Sequence, residues 1–146
     1  MPTENLAAMI IVKSREEIEL MRESALIVSK TLGMIASEIK EGVTTLYLDK
    51  LAEAFIRDHG AVPSFLGLYG FPNSLCMSPN SQVVHGIPNN KPLESGDVIS
   101  VDCGAFKNGF HGDHAYSFEI GDVAPETKTL LQVTKESLYV GIREFK

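Results

Sequence analysis

Asp97-Val98-Ile99-Ser100-Val101-Asp102-Cys103-Gly104-Ala105-Phe106-Lys107-Asn108-Gly109-Phe110-His111-Gly112-Asp113-His114-Ala115-Tyr116 reads as two strands folded about a tight turn. Asn108-Gly109 is the strongest short-range hairpin signal, because both residues tolerate the positive φ that a two-residue turn demands. The flanking text predicts strands over Asp97–Cys103 and Phe110–Ile120. With Asn108 and Gly109 as the turn, Asp113 falls opposite Gly104 and Asp102 opposite Ala115. Opposed residues share a face and alternate residues return to it, so Asp102 and Asp113 project from the same side as diagonal neighbours, with Cβ atoms on the order of 7 Å apart.

Two carboxylates that close repel each other; they share a proton or bind a cation. Such a pair can converge on one divalent metal or bridge two. The alternative is a solvated strand face. Against it, the hairpin is apolar on both sides, with Phe106 and Ala115 beside the aspartates and Val101, Ala105, Phe110 and Tyr116 on the reverse. Gly104 and Gly112 beside the pair would let a ligand approach closely.

Upstream, Ser14-Arg15-Glu16-Glu17 matches a capping box, followed by Ile18, Met21, Ala25, Val28, Leu32, Ile35 and Ile39 at steps of three and four. This predicts a long amphipathic helix closed near Gly42. A second helix is expected from Thr45, burying Leu48, Leu51, Ala52, Phe55 and Ile56 and ending at Gly60. Glycines and prolines then break the chain into loops, with short strands expected at Leu75–Met77 and Gln82–His85. A third helix opens at Pro125, a favoured first-turn residue, with Leu130, Leu131, Val133, Leu138 and Ile142 on its apolar face. No Gly or Pro stop follows before Lys146. Met1–Ala8 shows no periodicity and reads as a leader or expression remnant, leaving 9–146 as the folded unit.

The chain has 146 residues, 44% hydrophobic and 22% charged, which suits one globular domain rather than disorder. Its 13 basic and 19 acidic residues leave a net charge of −6, with no basic run to bind nucleic acid directly. Neither a membrane span nor a secretory signal is readable. Two cysteines, Cys76 and Cys103, make no disulfide framework, and a reducing cytoplasm is expected. The sequence has no Gly-x-Ser-x-Gly elbow, His-Glu-x-x-His or phosphate-binding loop. Cys103 as a nucleophile is disfavoured by Asp102 beside it.

Among the histidines, His85 sits in Val83-Val84-His85-Gly86-Ile87-Pro88, at the end of an apolar strand and before a Gly-Ile-Pro turn, where it could act near neutral pH or be structural. His111 falls opposite Phe106 on the aspartates' face. His114 falls on the other face, and His59 near a helix end.

Taken together, these residues resemble the type I methionine aminopeptidases, a branch of the two-metal pita-bread peptidases. The resemblance runs from Met9 to Lys146. It rests on Lys13-Ser14-Arg15-Glu16-Glu17-Ile18-Glu19-Leu20-Met21-Arg22, on Val83-Val84-His85-Gly86-Ile87-Pro88, on Gly96 through Gly104, and on Asn108-Gly109-Phe110-His111-Gly112-Asp113.

The resemblance implies an α+β fold, with helices packed on a curved, mainly antiparallel sheet, the first half of a pita-bread domain. It implies Asp102 and Asp113 as metal ligands, Asp113 bridging both ions, and His85 as the catalytic histidine that contacts substrate. It implies Co, Mn, Fe, Zn or Ni as the divalent ions, which activate water to release the N-terminal methionine of peptides and nascent proteins. Phe65, Leu68, Phe71 and Cys76 match the segment lining the methionine pocket, where apolar and sulfur-bearing walls suit a thioether.

Leu68 stands where an aromatic is common and His114 where a small hydroxyl residue is usual, which bears on fine specificity. In the family a second αβ half supplies a histidine and a pair of glutamates, and this chain carries none of that half. At most a partial metal site, little or no activity from the chain alone, and self-association through the uncovered face are therefore expected. The rival readings are a non-catalytic pita-bread module binding a protein or RNA, and a related peptidase acting at proline or on creatine.

Overall fold

The computed structural model describes residues 11–145. The leader reading of Met1–Ala8 lies outside them, as do Met9 and Ile10.

Helix α1 (Arg15–Glu38) begins at the expected capping box. Glu17 N–H donates to Ser14 Oγ (3.1 Å) and Ser14 N–H to the Glu17 carboxylate (2.7 Å), satisfying two otherwise orphaned donors. Its buried side is Ser24, Ile27, Val28, Thr31, Leu32 and Ile35. The expected stripe therefore holds from Val28 onward and fails before it, with Ile18 and Met21 exposed. Contact with the sheet sets the rotation: a Cβ on Gly112 would lie 2.6 Å from the Ser24 carbonyl carbon, and Ser24 Oγ donates to Phe110 O (2.9 Å). Helix α2 (Thr45–Asp58) is capped by Thr44, whose Oγ1 accepts from Tyr47 N–H, and buries Leu48, Ala52 and Ile56.

Four antiparallel strands follow: β1 (Val62–Pro63), β2 (Leu75–Pro79), β3 (Val98–Lys107) and β4 (Phe110–Glu119). Strand β3 is central. β1 and β2 pair along one edge of it and β4 along the other. The register is the one the Asn108-Gly109 turn dictates, with Gly104 opposite Asp113 and Asp102 opposite Ala115.

Ile99, Val101, Cys103 and Ala105 point from β3 into one core with α1 and α2, joined by Ile35, Leu48, Ile56, Leu75 and Met77. Full burial of each large aliphatic side chain stabilises the fold by roughly 1.5–3 kcal/mol. The opposite face carries the aspartates.

The chain departs from expectation at Gln82–His85, which is not a strand. Val83 and Val84 are exposed, and His85 takes φ 58°, outside any β conformation. The segment is held at its end instead, by Met77 N–H to Gly86 O (2.8 Å) and Gly86 N–H to Ser78 Oγ (3.0 Å). Helix α3 (Pro125–Glu144) opens at Pro125 as expected, but buries no residue. Leu130, Val133, Leu138 and Ile142 are all more than half exposed. The architecture is α+β, with helices on one face of a small antiparallel sheet.

Candidate metal centre and substrate cavity

The free face of the sheet opens into a cavity of about 510 Å³. Asp102 and Asp113 line it from β3 and β4, and Cys76 lines it from β2, directly opposite Asp102 in register. His85 enters from the irregular segment after β2. Phe65, Leu68 and Phe71 come from the loop between β1 and β2. Every site residue picked from the sequence lines this one space. Cys76 is buried, Leu68 and His85 are exposed, and Phe65 and Phe71 are intermediate.

Local chemistry places each group. Gly86 packs against β2 so tightly that a Cβ would press into the Met77 carbonyl, 2.7 Å from its carbon, which seats the preceding His85 at the cavity. A non-glycine residue at φ 58° is uncommon and clusters at functional sites. Phe65 lies over Gly104, where a Cβ would stand 2.9 Å from its ring, and Ser64 N–H donates to Gly104 O (2.9 Å). His111 is fixed on the same face by a 2.9 Å hydrogen bond between its Nδ1 and Ser64 Oγ and by the Phe106 ring at 4.6 Å. His59 stacks on Phe55 and bonds its carbonyl, away from the cavity.

Burial pushes the Asp102 carboxyl above its ordinary range, and Asp113 adds to this by like charge and by hydrogen bonding; His85 acts in the opposite direction. Asp102 Oδ1 is buried without a hydrogen-bond partner. An orphaned carboxylate oxygen on a residue that feels a second carboxylate's charge fits a hard divalent cation, which would supply the missing partner and cancel the repulsion. Among the described residues no set of three His, Cys, Asp or Glu side chains converges around the pair. Burial, with the two aspartates, pushes the Cys76 thiol up to about 11 and Cys103 to about 12. Both thiols are protonated at neutral pH and neither is an activated nucleophile.

Other contributors were not singled out as site residues from the sequence. Tyr69, Pro72 and Ile87 also line the cavity. Asp49 on α2 is buried and accepts from Ser74 N–H (2.9 Å), Leu75 N–H (2.8 Å) and Asn73 Nδ2 (2.7 Å), tying the start of β2 to the helix. An acid on the helix's buried side beside Leu48 and Ala52 was the available clue.

Residues 19–146 match the model of metallopeptidase family M24. The methionine aminopeptidase of Clostridium perfringens is 48% identical over 136 residues, covering 93% of this chain and 55% of that protein. Methionine aminopeptidase 1 of Bacillus subtilis is 47% identical over 138 residues, covering 94% and 56%. In structure, methionine aminopeptidase from Thermotoga maritima superposes with a TM-score of 0.91 at 33% identity, over 94% of this chain and 56% of that one. The chain spans about half the length of the curated relatives it matches, and its fold is half of the pita-bread architecture. With the aspartate pair on the hairpin face and the family match over most of its length, the chain belongs to metallopeptidase family M24.

Proposed function

We propose that the chain carries the aspartate and pocket half of a methionine aminopeptidase, cleaving N-terminal methionine from peptides and nascent proteins in the cytoplasm. The observation that carries this reading is the Asp102–Asp113 pair, with its orphaned Oδ1, at an apolar cavity containing Cys76 and His85. In this reading Asp102 and Asp113 hold divalent cations of the Co, Mn, Fe, Zn or Ni class. When bound, such ions supply Lewis acidity toward the peptide carbonyl and acidify water.

The chain's own residues do the rest. Phe65, Leu68, Phe71 and Cys76 receive the methionine side chain by apolar and sulfur contact. Gly86 and the left-handed backbone hold the His85 imidazole at the cavity, where it can donate a hydrogen bond to the scissile peptide. Phe65 and the loop that follows it form one wall of the cavity.

Two aspartates leave a cation short of ligands, so the isolated chain binds metal weakly and releases little methionine. No helix of the described residues is long and apolar enough to cross a membrane, in keeping with a substrate met in solution. Methionine release from Met-Ala, Met-Gly and Xaa-Pro peptides, with Mn²⁺ or Co²⁺ added, tests the reading on the chain and on a version extended to the length of its relatives. The extended protein is expected to cleave the Met peptides. Preference for Xaa-Pro, or full turnover by the 146-residue chain, would overturn the respective part.

A further inference from the structure

The loop that walls the cavity is braced from within. Gly67 N–H donates to Phe71 O (2.8 Å), Leu68 N–H to Phe65 O (3.0 Å) and Phe71 N–H to Leu68 O (2.9 Å). Its leading end is pinned to the hairpin by Ser64 N–H on Gly104 O (2.9 Å). Its trailing end is pinned to α2. There Asp49 Oδ1 accepts from Ser74 N–H (2.9 Å) and Leu75 N–H (2.8 Å), and Oδ2 accepts from Asn73 Nδ2 (2.7 Å). Pro72 on one side of this clamp and Cys76 on the other both line the cavity.

The same face of α2 holds the far side. Thr45 lies one turn before Asp49, and each is 4% exposed. Thr45 Oγ1 accepts from Asn89 N–H (2.8 Å) and donates to Asn89 O (3.2 Å), which also accepts from Leu46 N–H (3.0 Å). Asn89 lies two residues beyond Ile87, which lines the cavity together with His85. Thr45 and Asp49 themselves stand behind the lining.

We propose that Thr45 and Asp49 are positioning residues for the cavity: as an i, i+4 pair on α2 they set the Phe71–Cys76 wall against the His85–Ile87 side, and so fix the width of the slot that receives the methionine side chain. The proposal rests on the methionine aminopeptidase reading.

The chemistry of the clamp favours positioning over stability. A buried carboxylate gives the fold little that apolar groups of the same volume would not, whereas a fully hydrogen-bonded one holds its partners in one arrangement. Its three donors come from consecutive residues, Asn73, Ser74 and Leu75, enclosed between two positions of the cavity lining. Binding and catalysis are sensitive to that arrangement, since a displacement of about 1 Å can cost on the order of a hundredfold in rate.

A charge swap tests the Asp49 arm. Asn73→Asp puts a carboxylate where an amide now donates to Asp49 Oδ2, and like charges should force the trailing end of the loop outward. In the Asp49→Asn/Asn73→Asp double variant the contact returns with donor and acceptor exchanged, while the amide oxygen still accepts from Ser74 and Leu75 N–H. Amide spectra of the ¹⁵N-labelled chain should show Ser74, Leu75 and Cys76 shifted in Asn73→Asp and restored in the double variant. In the protein extended to the length of its relatives, with Mn²⁺, Asn73→Asp should raise KM for Met-Ala peptides roughly tenfold and lower the preference for Met-Ala over Leu-Ala, with kcat changed less than about twofold. Loss of folded protein lowers kcat alone, so KM and selectivity separate positioning from stability. Thr45→Val strands Asn89 N–H and should raise KM roughly threefold, whereas Thr45→Ser keeps the hydroxyl and should match wild type.

An Asn73→Asp protein with wild-type KM and selectivity overturns the proposal. So does a double variant as impaired as Asn73→Asp, or a Thr45→Val protein with unchanged KM. If Asn73→Asp does not fold, the two Thr45 variants decide. When the unaltered extended protein cleaves Met-Ala and the variants match it, the positioning role alone fails; when it cleaves no Met peptide, the methionine aminopeptidase reading fails and this proposal with it.

Discussion

Gly104 faces Asp113 across the hairpin and at the same time lies under the Phe65 ring, so the cavity wall and the Asp113 carboxylate meet on one backbone position. A Cβ there would stand 2.8 Å from Ser64 Cβ and 2.9 Å from Phe65 Cε1. Gly104→Ala should push the Phe65 loop outward and cost about 1–3 kcal/mol, the usual range for overpacking. Urea unfolding reads the stability loss. In the extended protein, a KM increase exceeding the fall in kcat is expected, because the displaced group is a pocket wall.

Gly112→Ala should be worse than Gly104→Ala. Its Cβ would lie 2.5–2.7 Å from Ala25 N, Ser24 C and Ala25 Cα, all backbone atoms of α1 that cannot swing aside. The helix must lift from the sheet, with a cost on the order of 3 kcal/mol or more. A Gly112→Ala chain with an unchanged urea midpoint would remove the explanation given for α1's rotation.

Asp102→Asn should slightly stabilise the metal-free chain while ending stabilisation by Mn²⁺. The raised carboxyl range means that the folded chain holds this proton more tightly than the unfolded one, so the ionised group opposes folding as pH rises toward neutrality. Because the residue is only partly buried, the gain is about 1 kcal/mol at most after screening. Thermal melts with and without Mn²⁺ check both halves.

Asp49→Ala should cost roughly 2–4 kcal/mol, since it strands Ser74 N–H, Leu75 N–H and the Asn73 amide at the start of β2. Denaturant midpoints give the size of the loss. Amide exchange should show it concentrated at Ser74 and Leu75.

Asp97 is held below its ordinary 3.8, first by the Asn80 side chain, then by the Glu94 backbone N–H. A lowered folded value stabilises above the unfolded one and fades as pH falls through it. Asn80→Ala should therefore reduce stability at neutral pH and flatten the loss between about pH 5 and pH 2. A variant with an unchanged acid limb would contradict the sign.

Features that depend on neighbours in sequence were legible without coordinates. The Ser14–Glu17 capping box starts α1 because both of its bonds close within a single turn. Asn108-Gly109 sets the register of β3 and β4, and period-two alternation then puts Asp102 and Asp113 on one face. The placement of the aspartate pair on one face thus follows from a turn and counting.

What tertiary structure decided depends on residues far apart. The rotation of α1 came from Gly112 meeting Ser24, not from the helix's own apolar stripe. Val83 and Val84 read as strand because β-branched residues favour extended backbone, but Gly86 packing on Met77 anchors that segment and leaves His85 at positive φ. Asp49 became a clamp through partners that fold back from Asn73–Leu75. Local hydrogen bonds and side-chain alternation act over a few residues and can be read from the text. Close approach of backbones, and burial of a charge among distant donors, exist only once the chain has packed.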